Sequence, residues 1–175
     1  MEKRLYNIVT ETMGADFFQN VTVLDVGCAR YAESIALRDM GADVTALDVL
    51  KREEPPERIR FVLSNFLEWQ PDQAFDVLYL SNSALFMPNA DVFEKIAALR
   101  PKTVVVRTMY DYPEPNWDAS QLKQLYFTKP SDWVDYFEPL GFLTMHTDIY
   151  EEVSPDMLGS VRTFRVTEYI GRRSD

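Results

Sequence analysis

Short apolar runs bounded by turn residues recur along the chain, with helical stripes between them. Over 21–26, Val23, Leu24 and Val26 make a run that reads as a strand covered on both faces, and Gly27 follows at once. Ile35, Ala36 and Met40 then repeat at helical spacing over 32–40, and Gly41 stands where a helix would end. A second strand, Asp43–Asp48, closes on an acid. This strand, turn, helix, strand order predicts parallel strands joined by a right-handed crossover.

The same reading extends in both directions. Leu5, Ile8, Val9, Thr12 and Met13 fall on one stripe, so 1–14 predicts an amphipathic helix stopped by Gly14. Strands are predicted over 59–64, 75–80 and 103–107. A helix over 90–99 should bury Val92, Phe93, Ile96 and Ala97, with Asn89 or Asp91 as its cap. Ser131 should cap a helix to Phe137 that turns Trp133, Val134 and Phe137 inward and stops at Gly141. Two alternating runs, 142–153 and 161–170, flank SPDMLGS and predict a terminal hairpin.

Two stretches resist regular structure. After Asp48 the chain reads VLKREEPPER, and Pro55-Pro56 leaves room for a loop or a single turn. Residues 109–130 are aromatic and interrupted by Pro113, Pro115 and Pro130, which predicts a loop around a short helix at 119–126. Loops of that length often act as lids. This one is expected to be a substrate-side segment, the plain alternative being a surface-covering insertion.

Composition narrows the class. The 175 residues, 46% hydrophobic and 26% charged, are expected to form one domain, 1–175, with a full core. MEKRLYNIVTETM has no apolar core after its basic residues, and no window approaches a membrane span of about 18 apolar residues. Cys28 is the only cysteine, which fits a reducing compartment, and cytoplasm is the expected location. The net charge of −10 and the scattered basic residues argue against a nucleic-acid partner, because phosphate tracking needs clustered Lys and Arg. A membrane partner is not expected either, and oligomeric state is not readable.

In an open parallel sheet, ligands sit at the carboxyl ends of the strands, so the Gly27 turn and Asp48 should face one crevice. Amides at a turn and helix N-terminus attract an anionic group, while a carboxylate ending the next strand can accept both hydroxyls of a ribose. The pairing suits a nucleoside-containing ligand.

These residues resemble the class I S-adenosylmethionine-dependent methyltransferases. That family's first motif is an acid, a variable residue and Gly-x-Gly-x-Gly, with a second acid ending the second strand. Asp25, Gly27 and Asp48 match in type and spacing, whereas Ala29 and Tyr31 replace the second and third glycines. The Tyr31 ring would either close part of the pocket or stack beside the ligand. The resemblance implies an α/β Rossmann-like fold, seven strands in the order 3-2-1-4-5-7-6 with strand 7 antiparallel and helices on both faces. It also implies S-adenosylmethionine as cofactor, held around Asp25, Gly27, Cys28, Ala29, Tyr31, Asp48, Val49 and Ser81. Asn65 would reach the adenine amino group, with Phe66 against the ring or else in the core.

Methyl transfer is an in-line displacement at a sulfonium, so positioning matters most and a general base is optional. No catalytic residue can be assigned. His146, the sole histidine, alternates onto the face of Phe142, Thr144, Asp148 and Tyr150, where a surface or structural role stands beside a catalytic one. Tyr110 and Asp111 could line an acceptor pocket. Cys28 reads as a small buried filler rather than a nucleophile, and one histidine with scattered acids gives no metal-ligand spacing. The expected activity is methylation of a small-molecule or carrier- or peptide-bound acceptor. The alternative, raised by Ala29, Tyr31 and the missing base, is an inactive relative serving as a binding or scaffold subunit.

Overall fold

The computed structural model describes residues 4–111, 125–155 and 161–174. Its elements run α1 (Leu5–Met13), β1 (Thr22–Val26), α2 (Ala32–Asp39), β2 (Asp43–Asp48), β3 (Ile59–Leu63), β4 (Val77–Ser81), α3 (Asn89–Leu99), β5 (Thr103–Asp111), α4 (Pro130–Phe137), β6 (Phe142–Pro155) and β7 (Val161–Arg173). They build one seven-stranded sheet in the order β3-β2-β1-β4-β5-β7-β6. The first five strands are parallel, and β7 runs antiparallel to both β5 and β6. The expected topology is therefore the observed one.

Sheet periodicity divides the core in two. Alternate residues of a strand face opposite sides, so Leu24, Leu78 and Val106 join α3 and α4 on one face through Phe93, Ile96, Trp133 and Phe137. Val23, Val77 and Val105 join α1 and α2 on the other through Leu5, Val9 and Leu37. β1, β2 and β4 are buried on nearly every residue, as their continuous apolar runs require. α1 reaches from α2 to β6 across its face of the sheet.

Several local expectations shift. β5 runs on to Asp111, and β6 and β7 are longer than the alternating runs, because antiparallel pairing with β7 carries the backbone beyond the purely apolar stretch. α3 starts at Asn89 after Pro88 without a side-chain cap, and the Asn89 amide instead donates to the Phe127 carbonyl at 2.9 Å. α4 begins at Pro130, so Ser131 lies inside it; Asp132 closes the helix start by accepting the Lys129 amide at 2.7 Å. Nothing helical lies between β2 and β3. The predicted helix at 119–126 and the SPDMLGS connection fall largely outside the described residues.

His146 changes face. The register between β6 and β7 slips from Thr144↔Gly171 to His146↔Ile170, a one-residue bulge at Met145. Phe142 accordingly belongs to the α3/α4 core, while His146 stands opposite Ile170 of the α1/α2 core. Simple alternation had put His146 and Phe142 together. An inserted residue inverts everything beyond it.

Candidate functional site

The strand order reverses direction between β1 and β4, where the chain leaves the sheet in opposite senses. β1 delivers Gly27 to this switch point and β4 delivers Ser83. Gly27 has φ +77°, and a Cβ there would lie 2.5 Å from Ser83 Cβ, so both conformation and space exclude a side chain. The amides of Gly27 and Cys28 both donate to the Leu47 carbonyl, at 2.7 and 3.2 Å, which ties the turn to β2.

The two missing glycines leave their backbone shape behind. Ala29 and Tyr31 adopt φ +48° and +63°, left-handed values that cost an L-residue roughly 1–2 kcal/mol each. Tyr31 begins α2 from this conformation. Its ring is only 1% exposed, edge-on to Phe61 at 5.7 Å, in the core with Cys28, Val44 and Ala46. Its hydroxyl meets the Glu53 carbonyl at 3.4 Å, bracing the turn against the loop after β2. Tyr31 is thus a core residue of the α1/α2 face.

Asp48 ends β2 at the same edge and is 8% exposed. Its Oδ2 accepts the Ala29 amide and its Oδ1 the Leu50 amide, both at 2.9 Å. Each carboxylate oxygen can accept a second hydrogen bond, so the group is aimed by backbone yet retains acceptor capacity. Beside it lie exposed apolar side chains: Val49 and Leu50 follow it in sequence, and Leu63 of β3 is its register partner. Exposed apolar groups around a held carboxylate suit a ligand with a flat hydrophobic ring and a diol.

Asp25 lies below the turn, on the α1/α2 side, opposite Tyr79 in register. It is buried and accepts from the Ser34 hydroxyl near the start of α2. Burial pushes its carboxyl up to about 7; the Ser34 bond works against this, and the charges of Glu33 and Asp48 add to it. Glu33 in turn accepts from the Tyr79 hydroxyl at 2.5 Å. Burial likewise pushes the Cys28 thiol up to about 12, leaving it unreactive at neutral pH.

The remaining candidates divide. Asn65 uses Oδ1 to accept the Leu67 amide at 3.0 Å, capping a turn, and Phe66 is buried in the α3/α4 core. Ser81 ends β4, half-buried, beside Arg107 of β5. Two residues on, Ser83 is 8% exposed, and its hydroxyl is buried without a partner among the described residues. An orphaned hydroxyl costs about 1–3 kcal/mol unless something satisfies it. It sits against Gly27, where a ligand's polar group would do so. Asn82, at φ +59° with its amide donated to the Arg107 carbonyl at 2.7 Å, makes the bend that puts Ser83 there.

Sequence reasoning assigned no role to Ser83, Leu50 or Leu63, whose roles depend on register and exposure. It also passed over Arg107 and Glu168, although a lone charge inside TVVVRT or VTEYI is a readable sign of a buried partner. A concavity lined by Asn20, Thr22, Gly41, Asp43, Arg58 and Arg60 lies at the amino ends of β1 to β3, the edge opposite to that where such sheets bind ligands. Among the described residues no three His, Cys, Asp or Glu side chains converge as a metal site, and no helix is long and apolar enough to cross a membrane.

Comparison with known proteins bears on this edge. No family model matches the chain. A curated relative, the cypemycin N-terminal methyltransferase of a Streptomyces species, is 35% identical over 86 residues, covering 45% of this chain and 35% of that protein. The chain therefore matches about a third of that relative's length. Among solved structures, magnesium protoporphyrin IX methyltransferase from Synechocystis, with S-adenosylhomocysteine (SAH) bound, superposes with a TM-score of 0.71 at 15% identity, over 97% of this chain and 81% of its own. The N-methyltransferase NodS from Bradyrhizobium japonicum, also with SAH, gives 0.69 at 12% identity over 98% and 84%. The fold is that of the class I S-adenosylmethionine-dependent methyltransferases.

Proposed function

We propose that this chain is an S-adenosylmethionine-dependent methyltransferase acting on a small-molecule or peptide acceptor. One observation carries the reading: Asp48 is held by the Ala29 and Leu50 amides at the carboxyl edge of β2, beside the Gly27 turn at the switch point. A buried carboxylate aimed by two backbone amides, with acceptor capacity to spare and exposed apolar neighbours, matches the ribose and adenine of this cofactor. Ser83 supplies, at the other end of the crevice, a hydroxyl with no partner among the described residues.

The cofactor, when bound, brings a methyl group on a sulfonium, which a nucleophile displaces in line. The protein's part is to fix donor and acceptor in that line and to exclude water. Asp48 would hold the ribose, Val49, Leu50 and Leu63 the adenine, and the turn from Gly27 to Tyr31 the amino-acid end. Asn65 and Ser81, at the ends of β3 and β4, border the same edge. The acceptor's chemistry follows by analogy with the relatives, whose names specify a peptide amino terminus in one case and a porphyrin in another. A cytoplasmic setting belongs to the same reading, since the only cysteine is a buried free thiol.

Calorimetric titration with S-adenosylmethionine and SAH tests this. We expect micromolar binding of both, lost in Asp48→Ala while the fold survives by circular dichroism. A folded wild-type protein that binds neither at millimolar concentration would refute the enzyme and leave the inactive relative, a binding or scaffold subunit.

A further inference from the structure

The α1 face carries a second polar assembly, away from the Gly27 crevice. Arg107 of β5 is level with Ser81 of β4 and pairs in register with Glu168 of β7, which pairs in turn with Asp148 of β6. Arg107 donates to Glu168 Oε1 from Nε at 2.9 Å and from Nη2 at 2.6 Å. The Tyr150 hydroxyl donates to the same oxygen at 2.9 Å, and His146 Nε2 lies 3.3 Å from Oε2. Glu168 is 1% exposed and the His146 side chain 26%, so a closed ionic floor carries a partly open rim.

The bonding fixes the histidine. Burial raises the Glu168 carboxyl, but hydrogen bonds from His146 and Arg107 and the charge of Arg107 outweigh it and hold the group below its ordinary range. The carboxylate is therefore ionised and can only accept, so His146 Nε2 carries the hydrogen that faces it, and in the neutral ring Nδ1 keeps a lone pair. Among the described residues nothing donates to Nδ1. The Met145 bulge is what brings this ring to the face, and bulges often re-aim side chains beside functional sites. Asp148, exposed and next along the same face, spends Oδ1 on the Ile149 amide at 2.8 Å.

We propose that His146, Tyr150 and Asp148 recognise an amine-bearing part of the acceptor. Its N–H donates to His146 Nδ1, Asp148 supplies the countercharge to an ammonium, and Glu168 is the positioning residue that sets the tautomer. The inference rests on the methyltransferase reading. β6 stands three strand positions from β4, about 14 Å at the usual spacing. His146 is then too far to take a proton from an atom reacting over β4. The acceptor it recognises is long enough to place a basic group roughly that distance from the methylated atom.

The single histidine makes the test direct. In protein labelled with 15N-histidine and loaded with SAH, we expect the Nε2–H tautomer and a saturable shift of the ring signals with 1,6-diaminohexane. Hexane-1,6-diol should cause none. Calorimetry should show diamine affinity at least tenfold weaker in His146→Phe and in Asp148→Asn, with SAH affinity unchanged in both. Glu168→Gln should release the Nδ1–H tautomer and weaken the diamine alongside. An Nδ1–H tautomer in the wild type, an unperturbed ring, or equal diamine affinity in the variants overturns the site while SAH binding leaves the methyltransferase reading standing. Failure of the wild type to bind SAH overturns both.

Discussion

The Gly27–Asp48 crevice and the Arg107–Glu168–His146–Tyr150 assembly lie on one sheet but are built by opposite means. Backbone shapes the first: a turn of left-handed residues, amides tied to Leu47, and a carboxylate aimed by the amides of Ala29 and Leu50. Side chains from three strands build the second around one buried ion pair, with hardly a local contact among them. A backbone site tolerates changes of side chain that preserve φ and ψ, which is how Ala29 and Tyr31 can stand in for glycine. A side-chain site tolerates little, because each partner satisfies another that is already out of water.

The largest difference should come from removing one charge. Glu168→Ala removes the carboxylate that faces the buried Arg107 guanidinium, and we expect unfolding stability to drop by about 3–5 kcal/mol in denaturant titrations. A loss under about 1 kcal/mol would show that water reaches the pair and that the floor is not closed.

Within the crevice, Asp25 ties stability to pH. Its pKa is raised from 3.8 to about 7, so its contribution is fully present below pH 4 and is lost as pH rises through 7. Asp25→Asn should remove that fall, costing less at pH 8 than at pH 5, by on the order of a few kcal/mol between the two. Denaturation midpoints at both pH values decide it, and parallel curves for the two proteins would count against a buried, raised carboxyl.

Gly27→Ala forces a Cβ to 2.5 Å from Ser83 Cβ at φ +77°, and the expected cost is about 2–3 kcal/mol, with SAH binding lost alongside. Ala29→Gly is the smallest and carries the opposite sign. Relief of the left-handed alanine outweighs glycine's extra entropy, and thermal unfolding should rise by the equivalent of about 0.5 kcal/mol. A destabilised Ala29→Gly would mean that the methyl group has a packing role the backbone account omits.

Most of the fold was legible because its evidence is local. The runs ending in Gly27 and Asp48, the stripes of α1 and α2, and the final alternating pair need only neighbouring residues, and the seven-stranded order followed from the family resemblance. The crevice was legible to the same depth: an acid ending one strand opposite a glycine turn ending another is a sequence pattern. Its finer assignments were less so. Phe66 proved to lie in the core and Tyr31 to brace the turn from beneath, since whether an aromatic faces ligand or core depends on which helix covers it.

What the chain determined by itself was the crossover unit, the parallel sheet and the two acids at its carboxyl edge, all consequences of hydrophobic period and turn chemistry within a few residues. Only the tertiary structure decided that the Ser83 hydroxyl would lie against Gly27 with no partner among the described residues, that Arg107 would meet Glu168, and that a bulge at Met145 would turn His146 toward them. The physical reason is register. Side chains alternate with a period of two, so one inserted residue, set by pairing with a distant strand, reverses the face of every residue beyond it.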